Sequence, residues 1–115
     1  MMGYYTYHNL DIRTADNKDK HPEEATIIHQ LREENQNAAY SFNEDGSCNS
    51  ETKWYDMVKD MCEFSKKHFG ALFVIRGEGE EPDDRWYCYF LHGRYQECRA
   101  KITYEDYDFS KLMNA

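Results

Sequence analysis

No run of apolar residues in this 115-residue sequence approaches the ~20 that span a bilayer as a helix. The opening residues, MMGYYTYHNLDIR, lack the basic start and apolar stretch of a secretory signal. Gly3 does not directly follow the initiator methionine, as myristoylation requires. A cytoplasmic protein with no membrane partner is the expectation. Close cysteine pairs are also missing. Cys48, Cys62, Cys88 and Cys98 are far apart, so the paired spacing of zinc sites is absent and free, mostly buried thiols are expected. His8, His21, His29, His68 and His92 form no H-E-x-x-H or similar pair, and each reads as a solvated or capping side chain. Cations are in deficit, with 14 Lys and Arg against 22 Asp and Glu, for a formal charge of −8. Binding to nucleic acid rests on neutralising phosphates, so direct DNA or RNA binding is not expected. The same charge speeds encounter with a basic partner.

Aromatic residues are plentiful: ten Tyr and six Phe contribute to an aromatic fraction of 16%. With 40% hydrophobic residues, the chain carries too much apolar mass to remain unfolded at this charge. One domain over residues 1–115 is the natural size, with a small, aromatic core.

Residues 4–13 alternate with the period of a strand, and Leu10 and Ile12 mark the inner side. Pro22 suits the first turn of a helix, Glu23 and Glu24 suit its positive end, and Ile27, Ile28 and Leu31 give one apolar stripe. That helix is predicted over 22–35. A short strand is predicted at 39–42, followed by a turn through NEDGSCNSE. Asp56 is a candidate N-cap for a second helix striped by Met57, Val58, Met61, Cys62 and Phe64. Lys66, Lys67 and His68 fit its C-terminal end, and Gly70 the residue just past it.

Residues 71–76, ALFVIR, read as a buried strand, and 86–91 and 94–104 as the arms of a hairpin around His92-Gly93. A two-residue loop pairs position 91 with 94. A three-residue loop pairs 90 with 94, and places Trp86, Cys88 and Phe90 on the core face beside Cys98 and Ala100. The second register is preferred, because it puts Gly93 where positive φ is needed. Tyr87, Tyr89 and Tyr95 then share the opposite face. The fold class is α+β: an antiparallel or mixed sheet of four to five strands with two helices on one face.

In this order the chain resembles a group of small proteins encoded by phages and mobile elements. The marks are Gly3-Tyr4-Tyr5-Thr6, Lys53-Trp54-Tyr55-Asp56, Gly77-Glu78-Gly79-Glu80-Glu81 and Trp86 with Tyr89-Phe90. The resemblance implies an inhibitor or adaptor acting on a host protein, and it carries over no catalytic residue.

The feature in search of a role is RGEGEEPDDRW, residues 76–86, which holds Glu78, Glu80, Glu81, Asp83 and Asp84. Gly77, Gly79 and Pro82 are ordinary turn residues, so a solvated connector is one reading. Its G-x-G lacks a third glycine and a following helix, and five carboxylates would repel phosphate. The reading taken forward is a non-enzymatic inhibitor with no cofactor and no resident metal. It offers these five carboxylates, with Tyr87, Tyr89 and Tyr95, to the basic surface of a partner. The acidic YEDYD, with Glu105, Asp106 and Asp108, extends the same imitation of a polyanion. The alternative is a small metal-dependent hydrolase or nuclease, in which Glu78 or Glu80 converges with Glu97 or Asp56. A third is a ligand pocket between helices and sheet.

Overall fold

Residues 5–115 are described in the computed structural model. Tyr4, the expected start of the first strand, and Gly3 lie outside them. Four strands form one antiparallel sheet in the order β1-β2-β3-β4: β1 Tyr7–Thr14, β2 Ala71–Glu78, β3 Arg85–Leu91 and β4 Arg94–Arg99. Between β1 and β2 the chain makes three helices, α1 Glu24–Glu34, α2 Gln36–Ser41 and α3 Met57–Ser65. The fold is α+β.

One face of the sheet is apolar because every second residue is. Leu10 and Ile12 of β1 lie opposite Ile75 and Phe73 of β2, which lie opposite Cys88 and Phe90 of β3. All six are buried. Ile27, Ile28 and Leu31 of α1, Ala38 of α2, and Met57, Met61 and Phe64 of α3 close this layer, with Phe42 and Trp54 between them. Side chains fill the space between helices and sheet, where a ligand pocket was considered. The cavities lined by Tyr87 and Tyr89, by Asp60 and Lys67, by Pro22 and Glu44, and by His8 and Trp54 each open at the surface.

The first helix and the strands at 71–76 and 86–91 form where the residue pattern places them. Three expectations are corrected. Of the segment expected as a strand at 39–42, residues 39–41 belong to α2, a third helix where two were expected, and only Phe42 is extended, in an isolated bridge with Cys48. Asn35 is responsible: its N–H closes α1 on the Leu31 carbonyl, and its Oδ1 accepts the Ala38 N–H at 2.9 Å to start α2. One Asn thus ends one helix and caps the next. The second correction concerns α3, which ends at Ser65, with residues 66–69 forming turns before Gly70 at φ +85°.

The third correction is the register of the last hairpin. Leu91 pairs with Arg94 across a two-residue loop, and His92 and Gly93 both have positive φ, at 50° and 84°. Such loops match strand twist. A histidine in this conformation needs compensation, and it has some. Its Nε2 accepts the Gly70 N–H at 3.0 Å, its ring stacks on Phe69 at 4.3 Å, and the next N–H, of Gly93, donates to Ser65 Oγ at 2.8 Å. Cys98 and Ala100 therefore leave the core side. Cys98 pairs with Tyr87 on the outer face, and Tyr95 pairs with Phe90 on the helix side.

The two sheet edges differ. β1 is covered along its length. Leu10 N–H donates to the Gly46 carbonyl, Thr14 N–H to Asp19, and His21 N–H to Ile12. Ile12 N–H goes to the buried carboxylate of Glu24, which also pairs with Lys20 at 3.1 Å. β4, the other edge, has no strand beside it among the described residues.

Candidate functional site: the acidic hairpin and the outer sheet face

The connector between β2 and β3 is a turn with its own backbone hydrogen bonds. Gly79 N–H donates to the Asp84 carbonyl at 2.8 Å, and Asp84 N–H to Glu81 at 3.0 Å. Gly77 is explained by its neighbour across the ladder, Trp86. A Cβ at Gly77 would lie 2.2 Å from the Trp86 ring, so only glycine lets the indole lie over the strand. The G-x-G pattern is thus an aromatic packing feature.

The five carboxylates divide into two groups. Glu78 and Asp84 form the base of the turn: Glu78 pairs with Arg85 at 3.2 Å and Asp84 with Arg99 at 2.6 Å. Arg99 also holds Glu97 at 3.0 Å, and its hydrogen bond to Asp84 is the main reason its pKa is raised above the ordinary value. Glu80, Glu81 and Asp83 occupy the exposed tip, where Glu80 accepts the Tyr5 N–H at 3.3 Å. The turn is anionic at its tip and ion-paired at its base.

Glu78 and Glu97 lie on opposite faces of the sheet, because Glu78 aligns with Arg85 and Glu97 with Cys88. They do not converge on one metal. Among the described residues no group of three or more His, Cys, Asp or Glu side chains is placed to hold a metal ion. Tyr87 and Tyr89 lie on the outer face, stacked at 6.2 Å and 20°. Tyr95 does not join them. Its ring sits 6.4 Å from Phe90 on the other side of the sheet.

Sequence reasoning missed the surroundings of the tyrosines. The outer face carries Arg13, Arg76, Arg85 and Arg94 against Asp11 and Glu78. It is cationic in a chain of formal charge −8. A shallow cavity of about 390 Å³ opens on it, lined by Arg76, Arg85, Tyr87, Tyr89, Cys98 and Ala100 among others. Finding this face needed the correct hairpin register, which puts Arg94 and Cys98 beside the tyrosines.

His8 was also missed as a core residue. It is 3% exposed, with Phe42, Trp54 and Trp86 edge-on at 6.4, 6.0 and 5.9 Å. Its Nδ1 lies 3.3 Å from Thr52 Oγ1, which is 2.8 Å from Ser41 Oγ. Burial lowers its pKa to about 4, against a smaller opposing effect of a hydrogen bond with the Thr6 backbone. Its place on the inner parity of β1, with Leu10 and Ile12, was the available signal.

Beyond Arg99 the chain leaves the sheet. Residues 100–115 are exposed throughout, with one short helical turn at Phe109–Lys111. The strand expected to reach residue 104 stops at Arg99, and Ile102 is exposed instead of buried.

No family model matches the chain, and no curated protein or solved structure is significantly similar to it. No helix among the described residues is long and apolar enough to cross a membrane.

Proposed function

We propose that the protein is a non-enzymatic interaction protein, a phage-type inhibitor or adaptor that works in the host cytoplasm on the basic surface of a host protein. The observation that carries this reading is the exposure of Glu80, Glu81 and Asp83 together at the tip of the hairpin. Glu78 and Asp84 are tied to Arg85 and Arg99, which holds the turn in one shape. Glu80, Glu81 and Asp83 then project from a preorganised tip. Fixed anions at the spacing of a short turn suit a surface that otherwise holds phosphates, and they act mainly on association rate and selectivity. Tyr87 and Tyr89 belong to a different, cationic face, and Tyr95 to the helix side, so the partner contact rests on the tip rather than on all eight residues.

The test compares the intact protein with Glu80→Gln/Glu81→Gln/Asp83→Asn in affinity capture from host extract. A partner held by the intact protein is expected to be lost by the variant. It is also expected to be lost at about 1 M salt, where the screening length falls to ~3 Å. The same proteins recovered with both baits at both ionic strengths would overturn the reading.

A further inference from the structure

The body of the molecule ends at β4, and the segment that follows stands away from it. The radius of gyration is 17.3 Å and the longest extent 57 Å. A compact chain of this length has a radius of gyration of about 13 Å. The exposed residues 100–115 contribute to that excess, and they are far from inert. Tyr104, Tyr107 and Phe109 are 89%, 76% and 78% exposed. They alternate with Glu105, Asp106 and Asp108 in the hexapeptide YEDYDF, which has no cation. Large apolar side chains left in water on an extended segment mark a docking element.

The outer face of the sheet has the complementary character. Its cavity is lined by Tyr87, Tyr89, Cys98 and Ala100 and by three arginines, Arg76, Arg85 and Arg99, against one carboxylate, Glu78, which pairs with Arg85. Among the described residues Arg76 makes no ion pair. Aromatic rings meet apolar side chains, and carboxylates meet arginines, which bind them in planar, bidentate geometry.

We propose that residues 104–109 of one copy dock in the outer-face cavity of a second copy, and reciprocally, forming a two-fold dimer. A second copy is the occupant rather than the chain's own segment because of residues 100–103, Ala-Lys-Ile-Thr. Ala100 already forms part of the cavity wall, so the chain's own hexapeptide could enter only by reversing within three residues. Those residues include no Gly, Pro, Asn or Asp, and Ile102 and Thr103 are β-branched and favour extended backbone. The segment therefore points outward and reaches another molecule. Each copy holds one donor and one acceptor, so two copies close on each other. The cavity shares Glu78 and Arg85 with the base of the acidic turn but none of Glu80, Glu81 and Asp83 at its tip, so the tip variant and the Ser variant test the two proposals separately.

Sedimentation over a range of concentrations tests the dimer. The intact chain is expected to pass from monomer to dimer, while Tyr104→Ser/Tyr107→Ser/Phe109→Ser stays monomeric. Arg76→Glu is expected to weaken association by about tenfold or more. Combining Arg76→Glu with Asp106→Arg/Asp108→Arg is expected to restore it. A synthetic peptide of residues 102–111 is expected to dissociate the dimer. The segment lies outside the core, so the triple Ser variant should keep the circular dichroism of the intact chain. A protein that stays monomeric to about 0.1 mM, above typical weak-interface dissociation constants, overturns the proposal. So does a dimer that is unaffected by the Ser variant and by the peptide.

Discussion

His8 shows how much one side chain can contribute to the pH response of the whole. Its pKa is about 4 in the folded protein against 6.5 for an ordinary histidine. Between these values the unfolded chain takes up a proton that the native state refuses. The His8 contribution to stability is therefore complete above about pH 6.5 and is lost as pH falls toward 4, by about 3 kcal/mol. Urea unfolding at pH 7.5, 5.5 and 4.5 should show this loss, and His8→Gln should flatten it. If both proteins change equally with pH, the assignment to His8 fails. Asp60 is a second single-residue keystone, because its Oδ2 accepts from Trp54 Nε1 at 2.9 Å and from Asn35 Nδ2 at 3.1 Å. Asp60→Ala leaves both donors unsatisfied and is expected to cost about 1–3 kcal/mol, read from the unfolding midpoint and the tryptophan fluorescence. The inward parity of His8 was legible in the sequence. The aromatic box around it was not, because Phe42, Trp54 and Trp86 arrive from three distant parts of the chain.

At the scale of elements, long periodic segments could be read and short ones could not. Leu10 with Ile12 located β1, Ile27, Ile28 and Leu31 located α1, and the ALFVIR run located β2. Ala39 to Phe42 looked like a strand because four residues carry almost no periodicity. A single Asn35 cap decided in favour of α2. The hairpin register hinged on one residue. The glycine rule favoured a loop with only Gly93 at positive φ, but tertiary contacts to Phe69, Gly70 and Ser65 hold His92 there as well. Replacing His92 by Ala keeps the unfavourable backbone and removes the side-chain contacts to Phe69 and Gly70. A loss of about 1 kcal/mol or more is expected by chemical denaturation. Gly77→Ala is expected to displace Trp86 and cost about 1–3 kcal/mol, with a changed near-ultraviolet dichroism. Unchanged aromatic spectra would show that the indole moves freely. The acidic connector was legible as a turn, whereas the pairing of Glu78 and Asp84 at its base depended on Arg85 and Arg99 from two different strands.

The whole molecule consists of a packed body and a projecting segment. Residues 104–115 bury nothing in the body, so a chain ending at Thr103 should melt within a degree or two of the intact one. The comparison belongs at concentrations where the protein is monomeric, since association would add stability by mass action. Small-angle scattering should show the radius of gyration falling from 17.3 Å toward the ~13 Å of a compact domain. An unchanged radius would mean that the segment lies against the body in solution. The strand was expected to run to residue 104 because Cys98, Ala100 and Ile102 alternate with Glu97, Arg99, Lys101 and Thr103, and nothing local says that no neighbouring strand waits beyond Arg99. The contrast between the sheet's two margins has a consequence for how the protein fails. Strand-by-strand growth needs two receptive ends, one to give and one to receive. Here the loops over β1 seal one of them. Two chains that meet through their β4 margins leave only sealed margins outside, so accidental sheet growth stops at a pair instead of running on into a fibre.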